Sequence, residues 1–279
     1  MKRMIIMVLL TTGFIAPATA QYYYRDIISV QQAQKEKQVL ELQKIRSIVV
    51  HSFEADGKEI SDFKCEKKMT KDYRRMETYT ESQATAKSWL TAYYNTKGLL
   101  EKSVDSNELS VSNTLYEYDA AGKIMRITSI AQSSDDDFTT ALTEVHQYSY
   151  NDKGLPVNML KIKNGKDSSL IDFLLDDKGN VTDEIEPGRN GKHFYYYYDD
   201  KKRLTDIVKY NVVQKALRAD FMFEYDEEDR VVQMITVDEG TSGEYSTWRY
   251  IYNDGLRIIE KCFSKNKQLL GYVEYEYID

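Results

Sequence analysis

Eight times between Tyr94 and Tyr277 the chain returns to one short pattern, and that recurrence limits the fold more than any other feature. The unit is an aromatic residue, any residue, Tyr, then Asp or Asn, two polar residues, Gly, any residue and an aliphatic. Its clearest copies are Tyr116-Glu-Tyr118-Asp-Ala-Ala-Gly122-Lys-Ile124 and Tyr148-Ser-Tyr150-Asn-Asp-Lys-Gly154-Leu155. The anchors Tyr94, Tyr118, Tyr150, Leu175, Tyr198, Tyr225, Tyr252 and Tyr277 are separated by 24, 32, 25, 23, 27, 27 and 25 residues. Such spacing marks an array of similar supersecondary units.

Each unit reads as one β-hairpin. Residues at −2 and 0 from the anchor share a strand face, so two rings project to one side. The Asp or Asn opens a turn by accepting backbone N–H bonds, and Gly takes the positive φ that returns the chain to a strand. Where Lys202 or Asp229 replaces Gly, the same conformation costs roughly 1 kcal/mol. With 23 Tyr against 9 Phe and 2 Trp, the strands should be half-buried, rings packed and hydroxyls wet.

These units resemble the YD repeat of the RHS family, whose repeats run Tyr-Asp-x-x-Gly into an aliphatic strand, with Tyr118–Ile124 the best match. The resemblance covers about residues 93–277. It implies secretion and stacked hairpins, with too few units for the large closed shell of long family members. The fold expected is all-β: an array of antiparallel hairpin repeats in an extended twisted or curled sheet with one N-terminal helix.

Residues 1–20 read as a secretory leader: Lys2 and Arg3, an apolar run from Met4 to Ala16, and an A-x-A ending at Ala20. The run is shorter than the roughly 20 residues a spanning helix needs, and nothing after Ala20 continues its hydrophobicity, so cleavage is expected after Ala20 and no transmembrane segment beyond it. Without Lys2 and Arg3 the mature chain carries 36 bases against 45 acids, a net charge of −9. That charge disfavours nucleic acid and anionic lipid as partners. Residues 21–48 form a tail and one amphipathic helix, drawn over Ile27 to Ile48 without Gly or Pro, as the N-terminal cap. Residues 49–279 form the repeat domain, including an eroded hairpin turning at Ala55-Asp-Gly-Lys58.

No constellation nominates a reaction. His51, His146 and His193 lie far apart with no metal spacing. No nucleophile elbow exists, Gly240-Thr-Ser-Gly243 being only a turn. The acids at Asp135-Asp-Asp137, Asp176-Asp177, Asp199-Asp200 and Asp226-Glu-Glu-Asp229 lack the spacing of a calcium loop and read as solvated turns. No enzyme activity, cofactor or metal is expected. Cys65 and Cys262 are expected as free thiols, because an open array puts them some 65 Å apart at about 4.8 Å per strand; a bond between them would mean that the sheet curls closed. The candidate ligand contacts are Tyr195, Tyr196, Tyr197, Tyr198, Trp248 and Tyr250. The expected protein is exported, periplasmic or at the cell surface. It acts as a non-catalytic binding or structural scaffold at the cell envelope, recognising a protein or glycan by a sheet face or a free edge strand. The alternative is a carbohydrate-binding surface protein using exposed Tyr and Trp platforms.

Overall fold

A computed structural model describes residues 22–82, 86–134, 141–188, 191–211, 215–238 and 243–279. The leader expected over residues 1–20 lies outside them, as do Asp135-Asp-Asp137 and most of the turn before Gly243. The chain opens with helix α1 (Tyr24–Leu42), followed by β1 (Ser47–Glu54), β2 (Lys64–Met69), β3 (Arg75–Ser82), β4 (Ala86–Tyr94), β5 (Leu100–Asn107) and β6 (Ser110–Tyr118). Then come β7 (Ile124–Ser133), β8 (Leu142–Tyr150), β9 (Pro156–Lys163), β10 (Asp167–Leu175), β11 (Val181–Ile185) and β12 (His193–Tyr198). The last six are β13 (Leu204–Asn211), β14 (Ala216–Tyr225), β15 (Val231–Val237), β16 (Tyr245–Asn253), β17 (Leu256–Ser264) and β18 (Leu269–Ile278).

Every strand pairs antiparallel with its sequence neighbours, and β1 also pairs with β18, from Ser47 opposite Ile278 to Glu54 opposite Gly271. The described strands therefore close into an 18-stranded up-and-down barrel. This corrects the YD-repeat (RHS-type) array of stacked hairpins and its extended or curled sheet. The repeating turn itself accounts for the closure. In each of the seven anchor-turn units the register slips by one residue just before the anchor, at Tyr93/Tyr94, Glu117/Tyr118, Ser149/Tyr150, Leu174/Leu175, Tyr197/Tyr198, Glu224/Tyr225 and Ile251/Tyr252. These are β-bulges paired with a positive-φ turn residue, and each adds bend and right-handed twist on the same rim. Their sum rolls the sheet until its edges meet, which also removes the free edge proposed for strand-addition binding.

The turns have the chemistry their residues dictate. Oδ1 of Asn95, Asn151, Asp176, Asp199 and Asp226 accepts the amides two and four residues onward. Lys202 and Asp229 hold φ of 63° and 62°, doing without glycine what Gly122 does at 83°. The eroded hairpin turns at Gly57, whose N–H bonds to the Glu54 carbonyl.

The anchors form a ladder that the sequence does not announce. Tyr118, Tyr150, Tyr198, Tyr225 and Tyr252 donate their hydroxyls to the carbonyls of Leu100, Ile124, Val181, Leu204 and Val231, at 2.5 to 2.9 Å. Each acceptor is the aliphatic that starts the return strand of the preceding unit. Tyr277 does the same to Arg257 at 2.6 Å. Leu175 has no hydroxyl, so the ladder skips that unit. Tyr225→Phe should lower stability by about 1 kcal/mol, the typical net worth of one hydrogen bond. Urea unfolding would read this as a lower midpoint; an unchanged midpoint would mean that the bond contributes nothing.

Helix α1 lies in the lumen. Its segment touches Lys67 on β2, Tyr118 on β6, Tyr148 on β8, Lys161 on β9, Phe173 on β10, Glu184 on β11, Tyr196 on β12 and Phe221 on β14. Only a position inside the ring reaches walls so far apart. The helix therefore fills the barrel rather than capping an edge, and it stops at Leu42 because Ile45 to Ile48 turn into β1. The core is luminal: Tyr94, Tyr148, Met159, Ile171, Phe194, Tyr196 and Ile207 are each at most 2% exposed. Cys65 and Cys262 are both buried and free. Closure brings β17 and β2 to three strand spacings apart, about 14 Å instead of 65 Å, still beyond the roughly 7 Å reach of a disulfide.

Candidate functional site

The densest polar constellation surrounds the first residues of the luminal segment, Tyr22 to Asp26. Glu184, on the inward face of β11, accepts the Tyr23 amide on both carboxylate oxygens at 2.8 and 2.9 Å and the Tyr24 amide at 2.8 Å. The Tyr196 hydroxyl donates to the same carboxylate at 2.7 Å. Carboxyl oxygens here satisfy amides that a helix N-terminus leaves open. Beside it, His146 on β8 bridges two carboxylates, Nδ1 to Asp26 at 2.6 Å and Nε2 to Glu144 at 2.7 Å. Tyr148 donates to Asp26 at 2.7 Å and approaches the Tyr23 carbonyl at 3.0 Å. Lys161 on β9 donates to the Tyr23 hydroxyl at 2.8 Å and to Glu186 at 2.5 Å. Four strands, β8, β9, β11 and β12, thus grip Tyr23, Tyr24 and Asp26.

The electrostatics follow from burial and pairing. Burial alone would lower His146, but its bonds to Asp26 and Glu144 hold it up at about 9. The His146 bond, opposed by burial and aided by Lys163, holds Glu144 down at about 2. Burial pushes Glu184 up to about 7 against the pull of its three donors. From unfolded values of 6.5 and 4.5, the His146 contribution is complete below pH 6.5 and lost as pH rises through 9, while the Glu184 contribution is complete below 4.5 and lost by about 7. Glu144 contributes above 4.5 and loses that contribution as pH falls to about 2. All three signs place the strongest grip just above pH 4.5. The melting temperature should therefore fall steadily between pH 5 and pH 9, and His146→Asn should flatten the part above pH 6.5. A melting temperature flat across that range would refute the assignment.

Chemically, this arrangement is a clamp. Both His146 nitrogens are engaged by carboxylates, and Glu184 is met by donors from the chain itself. Sequence reasoning missed it because its members are single residues on separate strands, and Tyr22 to Tyr24 read as a flexible tail. A second buried group lies on β17 and β18, where Arg257 and the Tyr275 hydroxyl meet Glu260 at 2.7 and 2.5 Å.

The six candidate ligand-contact aromatics do not form one platform. Tyr196 is buried in the clamp, and Tyr198 faces inward on the ladder. Trp248 and Tyr250 are buried with Met234 and Cys262 in a satellite cluster on the inner wall. Only Tyr195, stacked on His193 with ring centroids 4.0 Å apart, and Tyr197, 47% exposed, face outward. Four consecutive tyrosines alternate faces, as strand geometry requires.

No family model and no curated protein matches this chain. The YD-repeat resemblance is overturned by the closure of the sheet into an 18-stranded barrel. Among solved structures, the chain is similar to porin-like proteins from Bacteroides uniformis ATCC 8492 and Bacteroides vulgatus ATCC 8482. The first has 11% identity and a TM-score of 0.32, with 84% of this chain and 98% of that one covered. The second has 13% identity and a TM-score of 0.30, with the same coverage. A chain in the crystal structure of TcdB2-TccC3-Cdc42 matches at 10% identity and a TM-score of 0.27 over 86% of this chain, which spans only 17% of that chain's length. Likenesses this distant carry no argument about activity.

Proposed function

We propose that this protein is an exported, water-soluble barrel that serves as a non-catalytic binding or structural scaffold at the cell envelope. The observation that supports it best is the polarity of the two faces. On the outer wall His51 stands opposite Glu274, Lys68 opposite Glu77, Glu117 opposite Arg126, and Arg249 opposite Lys261. In a lipid-facing band each such Arg or Lys would cost about 2 to 4 kcal/mol near the midplane. Tyr94, Tyr148, Phe173, Phe194 and Tyr196 turn their rings into the lumen. The leader pattern at Lys2 to Ala20 supports export, and the self-satisfied clamp supports a structural role for the luminal charges.

Fractionation of producing cells tests the reading. The mature chain, starting after Ala20, should appear in the periplasmic or extracellular fraction and stay soluble through an alkaline carbonate wash without detergent. Recovery only with detergent-solubilised membranes, or in the cytoplasm with the leader intact, would overturn it.

A further inference from the structure

The outer wall is not uniform, and its asymmetry marks a surface for a partner. On β9 to β14 the outward positions are mostly apolar. Leu170, Leu174, Tyr197, Tyr210 and Leu217 are 44 to 53% exposed, five of the thirteen exposed large hydrophobics among the described residues. Cross-strand register joins them through less exposed neighbours, with Leu160 opposite Leu170, Tyr195 opposite Val208, and Tyr210 opposite Leu217. An apolar strip of this kind on a soluble chain commonly marks an interaction site.

Its charge is one-signed. Asp172, Asp183, Asp206 and Glu224 take outward positions on these six strands, whereas Lys161, Lys163, Lys209 and Arg218 fall on the luminal side of the register. Asp183 meets His193 at 2.8 Å, and Glu224 accepts from Gln233. Asp172 and Asp206 have no ion pair among the described residues. Elsewhere on the wall acids meet bases, as in Lys68 with Glu66 at 2.8 Å. A second copy laid on this strip would set acid against acid, which costs rather than gains.

We propose that the outer face of β9–β14 docks a protein segment in which Lys or Arg alternates with apolar side chains. Its cations would pair with Asp172 and Asp206, and its apolar residues would lie on Leu170, Leu174, Tyr197 and Leu217. The closed ring offers no edge for strand addition, so recognition runs through side chains. This rests on the scaffold reading and names its partner.

The mature barrel, titrated with a fluorescent peptide alternating Lys with Val and Tyr, should bind it and ignore the twin carrying Glu for Lys. Affinity should fall about tenfold or more between 50 and 500 mM salt, as screening of exposed charges requires. Asp172→Lys with Asp206→Lys should weaken binding about tenfold or more, and so should Leu170→Ser with Tyr197→Ser. Glu66→Lys with Glu77→Lys on the far wall should leave it unchanged, and circular-dichroism melts of all three variants confirm folding. Equal affinity for both peptides, binding that survives the outer-face variants, or self-association abolished by Leu170→Ser would each overturn the proposal. A chain that fractionates as a soluble exported protein yet ignores the Lys peptide removes this surface alone and leaves the scaffold reading standing.

Discussion

A chain beginning at Lys44, without Tyr22 to Gln43, is expected not to form the barrel. The lost segment buries Tyr22, Tyr23, Val30 and Leu40. Burial of such side chains contributes roughly 1.5 to 3 kcal/mol each. Its absence also uncovers the luminal rings it packs against and strips partners from Glu184, Tyr148 and Lys161. Each orphaned polar group adds about 1 to 3 kcal/mol of penalty. The sum reaches the whole 5 to 15 kcal/mol that separates a typical folded domain from its unfolded state. Thermal scans should show no cooperative transition, and a synthetic peptide of residues 22–43 added in trans should restore part of one. A shortened chain that melts cooperatively within a few degrees of the full one would show that the wall holds itself.

The second large effect is expected at Glu184. Glu184→Ala leaves two buried amides and the Tyr196 hydroxyl facing a hole, since all three donate to that carboxylate. With about 1 to 3 kcal/mol per stranded donor, the loss should be about 3 to 5 kcal/mol, because partial relaxation keeps it below the full sum. At about 2 to 4 °C per kcal/mol for a chain of this size, the melting temperature should drop by roughly 10 °C. Glu184→Gln retains a carbonyl acceptor and should lose less than half as much. Differential scanning calorimetry separates the two; equal losses would mean that shape rather than hydrogen bonding matters at this position.

What could be read from sequence was what is decided locally. Asp119 and Gly122 settle their turn within five residues, so each hairpin, its tip and its face alternation were legible. Closure was not, because it depends on small bends summed over distant units and on Ser47 finding Ile278. The same locality explains the misjudged tyrosines. Tyr118 and Tyr225 were read as packed rings with wet hydroxyls, yet each bonds a carbonyl about twenty residues upstream, a partner that no pattern within one unit reveals. The helix was legible as a helix but not in its place, since nothing in Tyr24 to Leu42 says whether its surroundings are water or a ring of strands. The clamp was hidden because His146 and Glu184, from distant strands, come together only when the wall curves around Tyr23.

The seam between β1 and β18 ties closure of the barrel to residues 271–278, which are synthesised more than two hundred residues after the strand they seal against. Until residues 271–278 are present, Ser47 to Glu54 lacks one of its two pairing partners. A polypeptide stalled short of that point would carry two open strand edges, on β1 and β17, and an unsealed hydrophobic interior. Premature termination before Gly271 should therefore yield a sticky, chaperone-dependent species rather than a slightly smaller version of the native protein.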